Sequence, residues 1–147
     1  MANRLETVRE VKGVTYVNDT ASTIPTSAVA ALRAFEQPIV LIAGGSEKNL
    51  PLDAFADEIL ARTKRVVLFD SPVGKKLFEL MRRRDDQCAK ELVIEPLADS
   101  MGAALRAASA ATVSGDVVLL SPGAASFGLF KNEFDRGDQF VAGVKAL

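Results

Sequence analysis

Pro38-Ile39-Val40-Leu41-Ile42-Ala43-Gly44-Gly45 decides the architecture. The run from Pro38 to Ala43 is apolar without a break, whereas a strand with one wet face would alternate. It reads as a parallel strand covered on both faces, and Gly44-Gly45 ends it in a turn. Downstream, Leu52 to Ala61 has helical spacing, with Phe55, Ile59 and Leu60 on one stripe. Upstream, Thr23-Ile24-Pro25 opens a helix in which Ala28, Val29, Leu32 and Phe35 recur at helical intervals, and proline suits its first turn.

The alternation continues in both directions. Leu5–Glu10 and Val14–Asn18 flank Lys12-Gly13 as a hairpin. Arg65–Phe69, Glu91–Glu95 and Asp116–Leu120 read as strands. Val73–Arg83, Ser100–Ala111 and the Phe134–Val144 region read as helices. Strands alternating with helices predict an α/β fold. It is a Rossmann-like, open and mostly parallel sheet with helices on both faces and an N-terminal β-hairpin. With 147 residues, 48% hydrophobic, the chain reads as one domain spanning 1–147.

Composition removes several function classes. A net charge of −1 gives no electrostatic case for nucleic acid or an anionic membrane surface. The basic run Lys75-Lys76 to Arg82-Arg83-Arg84 reads as a solvated helix end. Cys88, read in a polar loop, has no second cysteine to pair with. With no leader peptide in view, it suits a cytoplasmic setting. The chain has no histidine, so neither a Ser–His nucleophile nor the commonest metal ligand is present, and no metal site is expected.

In a parallel sheet, ligands gather at the carboxyl ends of the strands. Three loops there mix polar with small residues. Asn18-Asp19-Thr20-Ala21-Ser22-Thr23 holds five oxygen-bearing side chains in six positions. It reads either as redundant helix-capping residues or as a site where Asp19 takes a hydroxyl pair and Thr23 an ionic group. Gly44-Gly45-Ser46-Glu47-Lys48 lets a ligand approach the backbone. It is neither a P-loop nor a dinucleotide fingerprint, and Lys48 is either a solvated lysine or a point charge for an anion. Ser121-Pro122-Gly123-Ala124-Ala125-Ser126-Phe127 follows an apolar run and is expected to place Ser126 at a helix N-terminus, as an anion-binding residue. A fourth loop, Asp70-Ser71-Pro72, reads as a helix cap. Phe127, Phe130 and Phe134 have the spacing of a core stripe, and Asn132–Gly137 reads as a polar surface turn.

Three segments taken in order carry a resemblance: Gly13-Val14-Thr15-Tyr16-Val17-Asn18-Asp19-Thr20, Val40–Gly45 with Lys48, and Leu120–Phe127 with Phe130-Lys131-Asn132 and Arg136-Gly137-Asp138. Over nearly the whole length the chain resembles the carboxy-terminal domain of the Mur ligase family of peptidoglycan synthesis, in its D-glutamate-adding branch. The resemblance implies an ATP-dependent amide ligation. The carboxylate of UDP-N-acetylmuramoyl-L-alanine becomes an acyl phosphate, and the D-glutamate amine attacks it.

It further implies that Thr23, Lys48, Ser126, Phe127 and Phe134 hold D-glutamate and that Arg4 and Asp19 face ATP. Glu133 stands where the family has an aromatic, so Phe134 is its expected substitute. Ala21 stands where many members carry Lys, and Lys48 is the nearest cation to replace it. No residue of this chain is given a catalytic role. The UDP-sugar and P-loop ATPase domains, with the ligands of Mg2+, are expected outside it, so the isolated domain is expected to be inactive. A stand-alone small-molecule or nucleotide binding module of flavodoxin-like shape is the alternative.

Overall fold

The computed structural model describes residues 1–147. Its elements in order are β1 (Glu6–Val11), β2 (Val14–Asn18), α1 (Pro25–Arg33), β3 (Ile39–Ala43), α2 (Asp53–Arg62), β4 (Thr63–Leu68), α3 (Pro72–Arg84), α4 (Asp86–Leu92), α5 (Met101–Ala110), β5 (Val117–Leu120) and α6 (Glu133–Lys145). The five strands form one sheet in the order β1-β2-β5-β3-β4. Only the β1–β2 hairpin pairs antiparallel; β2–β5, β5–β3 and β3–β4 are parallel.

Successive side chains of a strand point to opposite faces, and that alternation sorts the core into two layers. Ile39, Leu41, Val66, Leu68, Val117 and Leu119 face one cluster, which α1 to α4 cover with Leu32, Phe55, Ile59, Leu77, Met81 and Ala89. Val40, Ile42, Val67, Val118 and Leu120 face the other, which α5 and α6 cover with Met101, Leu105, Phe140 and Val144. Both sides of the central strands are dry. That is why Pro38–Ala43 carries no polar alternation.

One predicted strand, Glu91–Glu95, is instead the end of a helix, at Glu91 and Leu92, followed by a single isolated bridge at Val93. Asp85 accepts from Cys88 N at 3.0 Å, and Asp86 pairs with Arg82 (2.9 Å) and Lys90 (3.0 Å), so α4 forms and runs to Leu92. Cys88 therefore lies on α4 rather than in a loop. Beyond it the chain passes along β4, touching the ladder only at Val93 against Val66 and Ala98 against Phe69. Pro96 sits between them and has no N–H to donate, which keeps the segment from becoming a sixth strand. No helix is long and apolar enough to cross a membrane.

The connections set where a ligand can sit. The loops after β2 and β3 lead to helices on one face, and the loop after β5 leads to α6 on the other. Adjacent strands whose connections leave on opposite faces open a crevice at their carboxyl ends.

Candidate functional site at the carboxyl edge of the sheet

Four loops meet at that edge and are stitched backbone to backbone. Gly44 N donates to Pro122 O (3.0 Å), Ser46 N to Ala125 O (2.8 Å), Gly123 N to Ser22 O (2.9 Å) and Val73 N to Gly45 O (3.1 Å). Ser71 joins the set. Its hydroxyl donates to Phe69 O and accepts from Gly74 N, capping α3, and from Gly45 N. The fourth loop is thus a cap, as its sequence suggests, and also a tie to the glycine loop. Ser71→Ala removes the cap and orphans the buried Gly45 N–H together. We expect a loss of about 2 kcal/mol, read as a lower melting temperature by roughly 4–8 °C. An unchanged melting temperature would rule out the double role.

Thr23 and Lys48 line one small pocket of about 10 Å3, together with Ser46, Gly123 and Ala124. That is room for about one water. Lys48 is exposed and pairs with no carboxylate. The adjacent Glu47 is committed elsewhere, to Lys76 Nζ at 2.5 Å and Asn49 N at 2.8 Å. The hydrogen bond from Lys76, then that from Asn49, holds the Glu47 carboxyl below its usual range.

The structure separates the other residues read from the sequence. Ser126 is buried and follows Ala125, the partner of Ser46, but no helix begins there. Phe130 N closes a single turn on Ser126 O at 3.1 Å, and α6 starts only at Glu133, capped by Asn132 accepting from Asp135 N at 2.8 Å. The expectation of Ser126 at a helix N-terminus is corrected accordingly. The stripe is corrected too. Phe130 alone of the three is buried, packing edge-on to Phe69 at 5.5 Å. Phe127 and Phe134 stand 70% and 58% exposed and do not line the Thr23–Lys48 pocket.

Arg4 and Asp19 share a cleft of about 300 Å3 with Leu5, Ser22 and Thr26. Asp19 is 1% exposed and accepts three hydrogen bonds, from Leu5 N (3.1 Å), Ser22 Oγ (2.5 Å) and Ser121 Oγ (2.8 Å). A carboxylate has about four acceptor positions, so one remains. The capping reading of this loop fails: the residue before α1 is Ile24, and no side chain caps that helix. The oxygens of Asp19 and Thr20 instead tie the segment to Leu5, Ser121 and α6, while Asn18 Oδ1 accepts from Thr20 N within it.

Arg136 received no site role from the sequence, because its Asn132–Gly137 surroundings read as a surface turn. It is 0% exposed. Its guanidinium donates to Thr20 Oγ1 (2.9 Å), Thr20 O (2.9 Å) and Ala124 O (3.0 Å), fastening the β2 loop to the β5 loop. Thr20 Oγ1 in turn donates to Glu133 O (2.7 Å). Burial without a carboxylate partner pushes the Arg136 pKa down to about 10. No group of three His, Cys, Asp or Glu residues is placed to hold a metal ion.

This geometry has known counterparts. The family described as "Mur ligase, glutamate ligase domain" matches residues 3–123. A UDP-N-acetylmuramoylalanine–D-glutamate ligase of Roseiflexus sp. (strain RS-1) is 52% identical over 94% of the chain, covering 29% of that protein. One from Symbiobacterium thermophilum is 41% identical over 99% of the chain, covering 30% of that protein. A murein peptide ligase from Psychrobacter arcticus shares the fold at TM-score 0.63 and 11% identity, over 99% of this chain and 30% of that one. A MurF ligase from Thermotoga maritima, solved with ADP, does so at 0.52 and 17%, over 99% and 32%. The chain spans about 30% of the length of these relatives. On the match to residues 3–123 and these identities, the chain belongs to the Mur ligase family, as a glutamate ligase domain.

Proposed function

We propose that this domain holds D-glutamate for a ligase that joins it to UDP-N-acetylmuramoyl-L-alanine at the expense of ATP. The observation that carries the reading is the meeting of Thr23 and the unpaired Lys48 in one pocket, on loops pinned to Ala125 next to Ser126. A dicarboxylate needs a fixed cation and hydroxyl donors at close range, and these loops supply both. Ser126 completes the hydroxyl set, and Phe127 and Phe134 cover the ligand when the neighbouring domain approaches. Their exposure leaves them free to do so.

Arg4 and Asp19 would face ATP, Arg4 offering an unpaired cation and Asp19 its remaining acceptor position. Bound there, ATP supplies the phosphoryl group that activates the acceptor carboxylate. The task of this chain's own residues is orientation. They hold both carboxylates of the amino acid, one against the Lys48 charge and the other through hydroxyl donors, leave its amine free, and keep it as a near-attack partner. Mg2+ would sit with the phosphates and be ligated from outside this chain. Because no phosphate-binding P-loop lies within the 147 residues, the domain alone is not a ligase.

Chemical-shift titration of the 147-residue chain with D-glutamate tests the reading. The amides of Thr23, Lys48 and Ser126 should move first, with millimolar-range affinity, because closure by a second domain is missing. Shifts confined to residues distant from these loops would overturn the site. Phosphate release by this chain from ATP with both co-substrates would overturn the division of labour.

A further inference from the structure

Glu47 stands between two cavities. It lines the pocket of Thr23 and Lys48, and it also lines a cleft of about 510 Å3 between the β3 loop and α3, with Leu50, Lys76 and Arg83. Its carboxylate is turned to the α3 side. Oε1 accepts from Asn49 N at 2.8 Å, and Oε2 pairs with Lys76 Nζ at 2.5 Å. Oε2 is enclosed, so water does not reach it. A charge without water around it is poorly screened and responds strongly to the charges nearest it. Lys48, the next residue, is exposed. An acid and the cation assigned to the ligand are thus chain neighbours on the wall of one pocket, yet they do not pair.

We infer that Lys76 is a positioning residue for the amino-acid site: it holds Glu47 on the α3 side and so keeps Lys48 free for a carboxylate of the ligand. The inference rests on the D-glutamate reading above. Without Lys76 the enclosed carboxylate loses its counter-ion. Arg83, in the same cleft, is already paired with Glu79 at 3.2 Å, and Lys48 is the cation beside Glu47 in the chain. Drawn to Lys48, Glu47 would cancel the charge that the ligand needs. Left in place, its field would repel a dicarboxylate. A hydrogen bond from Ser46 Oγ, enclosed and without a partner of its own, would not remedy this, because a hydroxyl brings no positive charge.

Titration of the Thr23 and Lys48 amides with D-glutamate, beside thermal unfolding, tests the inference. Lys76→Met should weaken D-glutamate about tenfold, the size of one charge-assisted hydrogen bond. Its melting temperature should stay within about 3 °C of wild type, since the ion pair of an exposed lysine contributes little to stability. Lys76→Arg keeps the counter-ion and should recover most of the affinity. Glu47→Gln should bind at least as tightly as wild type. Added to Lys76→Met it should restore binding, because no anion is left to hold away; a lysine acting independently of Glu47 would leave the double variant as weak as Lys76→Met. That last result overturns the inference. Wild-type affinity in Lys76→Met overturns it as well and leaves the wider function intact. If the wild-type chain shows no D-glutamate shifts at Thr23 and Lys48, the functional reading fails and takes this inference with it.

Discussion

Arg136→Ala is expected to lower the melting temperature by about 6–12 °C and to abolish the D-glutamate shifts at Thr23. The substitution leaves the carbonyls of Thr20 and Ala124 without their donor inside the fold, at about 1–3 kcal/mol each. It also leaves a cavity where the largest fully buried side chain stood. Relief from burying a charge offsets part of this, and a net loss on the order of 3 kcal/mol remains, equivalent to about 2–4 °C per kcal/mol at this size. Arg136→Lys should recover less than half of it, since one ammonium cannot reproduce a planar fork that reaches Thr20 Oγ1, Thr20 O and Ala124 O together.

The pH dependence has a defined sign. The folded state lowers this pKa from the usual arginine range to about 10, so the unfolded chain binds the proton more tightly. Stability linked to Arg136 therefore rises with pH only above about 10, until the unfolded chain gives up the proton too, and is flat at physiological pH. Melting of the alanine variant within about 1 °C of wild type would show that the two loops do not depend on this clamp.

What could be read from the sequence follows from how far each signal travels. The two-faced burial of Ile39–Ala43 and Val117–Leu120 is written in their own side chains, and parallel pairing then obliges the β2, β3 and β5 loops to share one edge. That is why Thr23 and Lys48 could be expected near each other. The apolar residues of Glu91–Glu95 offered no such certainty. Capping by Asp85 and the Asp86 ion pairs decided for a helix that the short pattern could not distinguish from a strand. The spacing of Phe127, Phe130 and Phe134 implies a stripe only if a helix runs through it, and here the helix waits for Asn132. The burial of Arg136 lies furthest from local reading, since its acceptors on Thr20 and Ala124 are 116 and 12 residues away in sequence.

Gly45→Ala should cost about 3 kcal/mol and, unlike most destabilising changes, should remove D-glutamate binding at temperatures where the domain stays folded. A Cβ at this position would meet Ala125 O at 2.1 Å and Ala124 Cβ at 3.1 Å, from a backbone with φ +154°. The obstacle is main chain, so no rotamer change relieves it; the glycine loop must move away from the β5 loop. The bonds that register the two, Ser46 N to Ala125 O and Gly44 N to Pro122 O, would lengthen together. Ser46 and Lys48 would then leave Thr23, and an affinity loss well beyond tenfold should follow, since misplaced ligand groups forfeit their bonds to the carboxylates. Gly115→Ala is the control. Its φ is +99°, yet nothing lies within 4 Å of the added carbon, and it sits before β5 at the opposite end of the sheet. It should pay about 1 kcal/mol of backbone strain and keep full affinity. D-glutamate titration and thermal unfolding of both variants separate the two effects. Wild-type affinity in Gly45→Ala would mean that the pocket does not depend on the close approach of these loops.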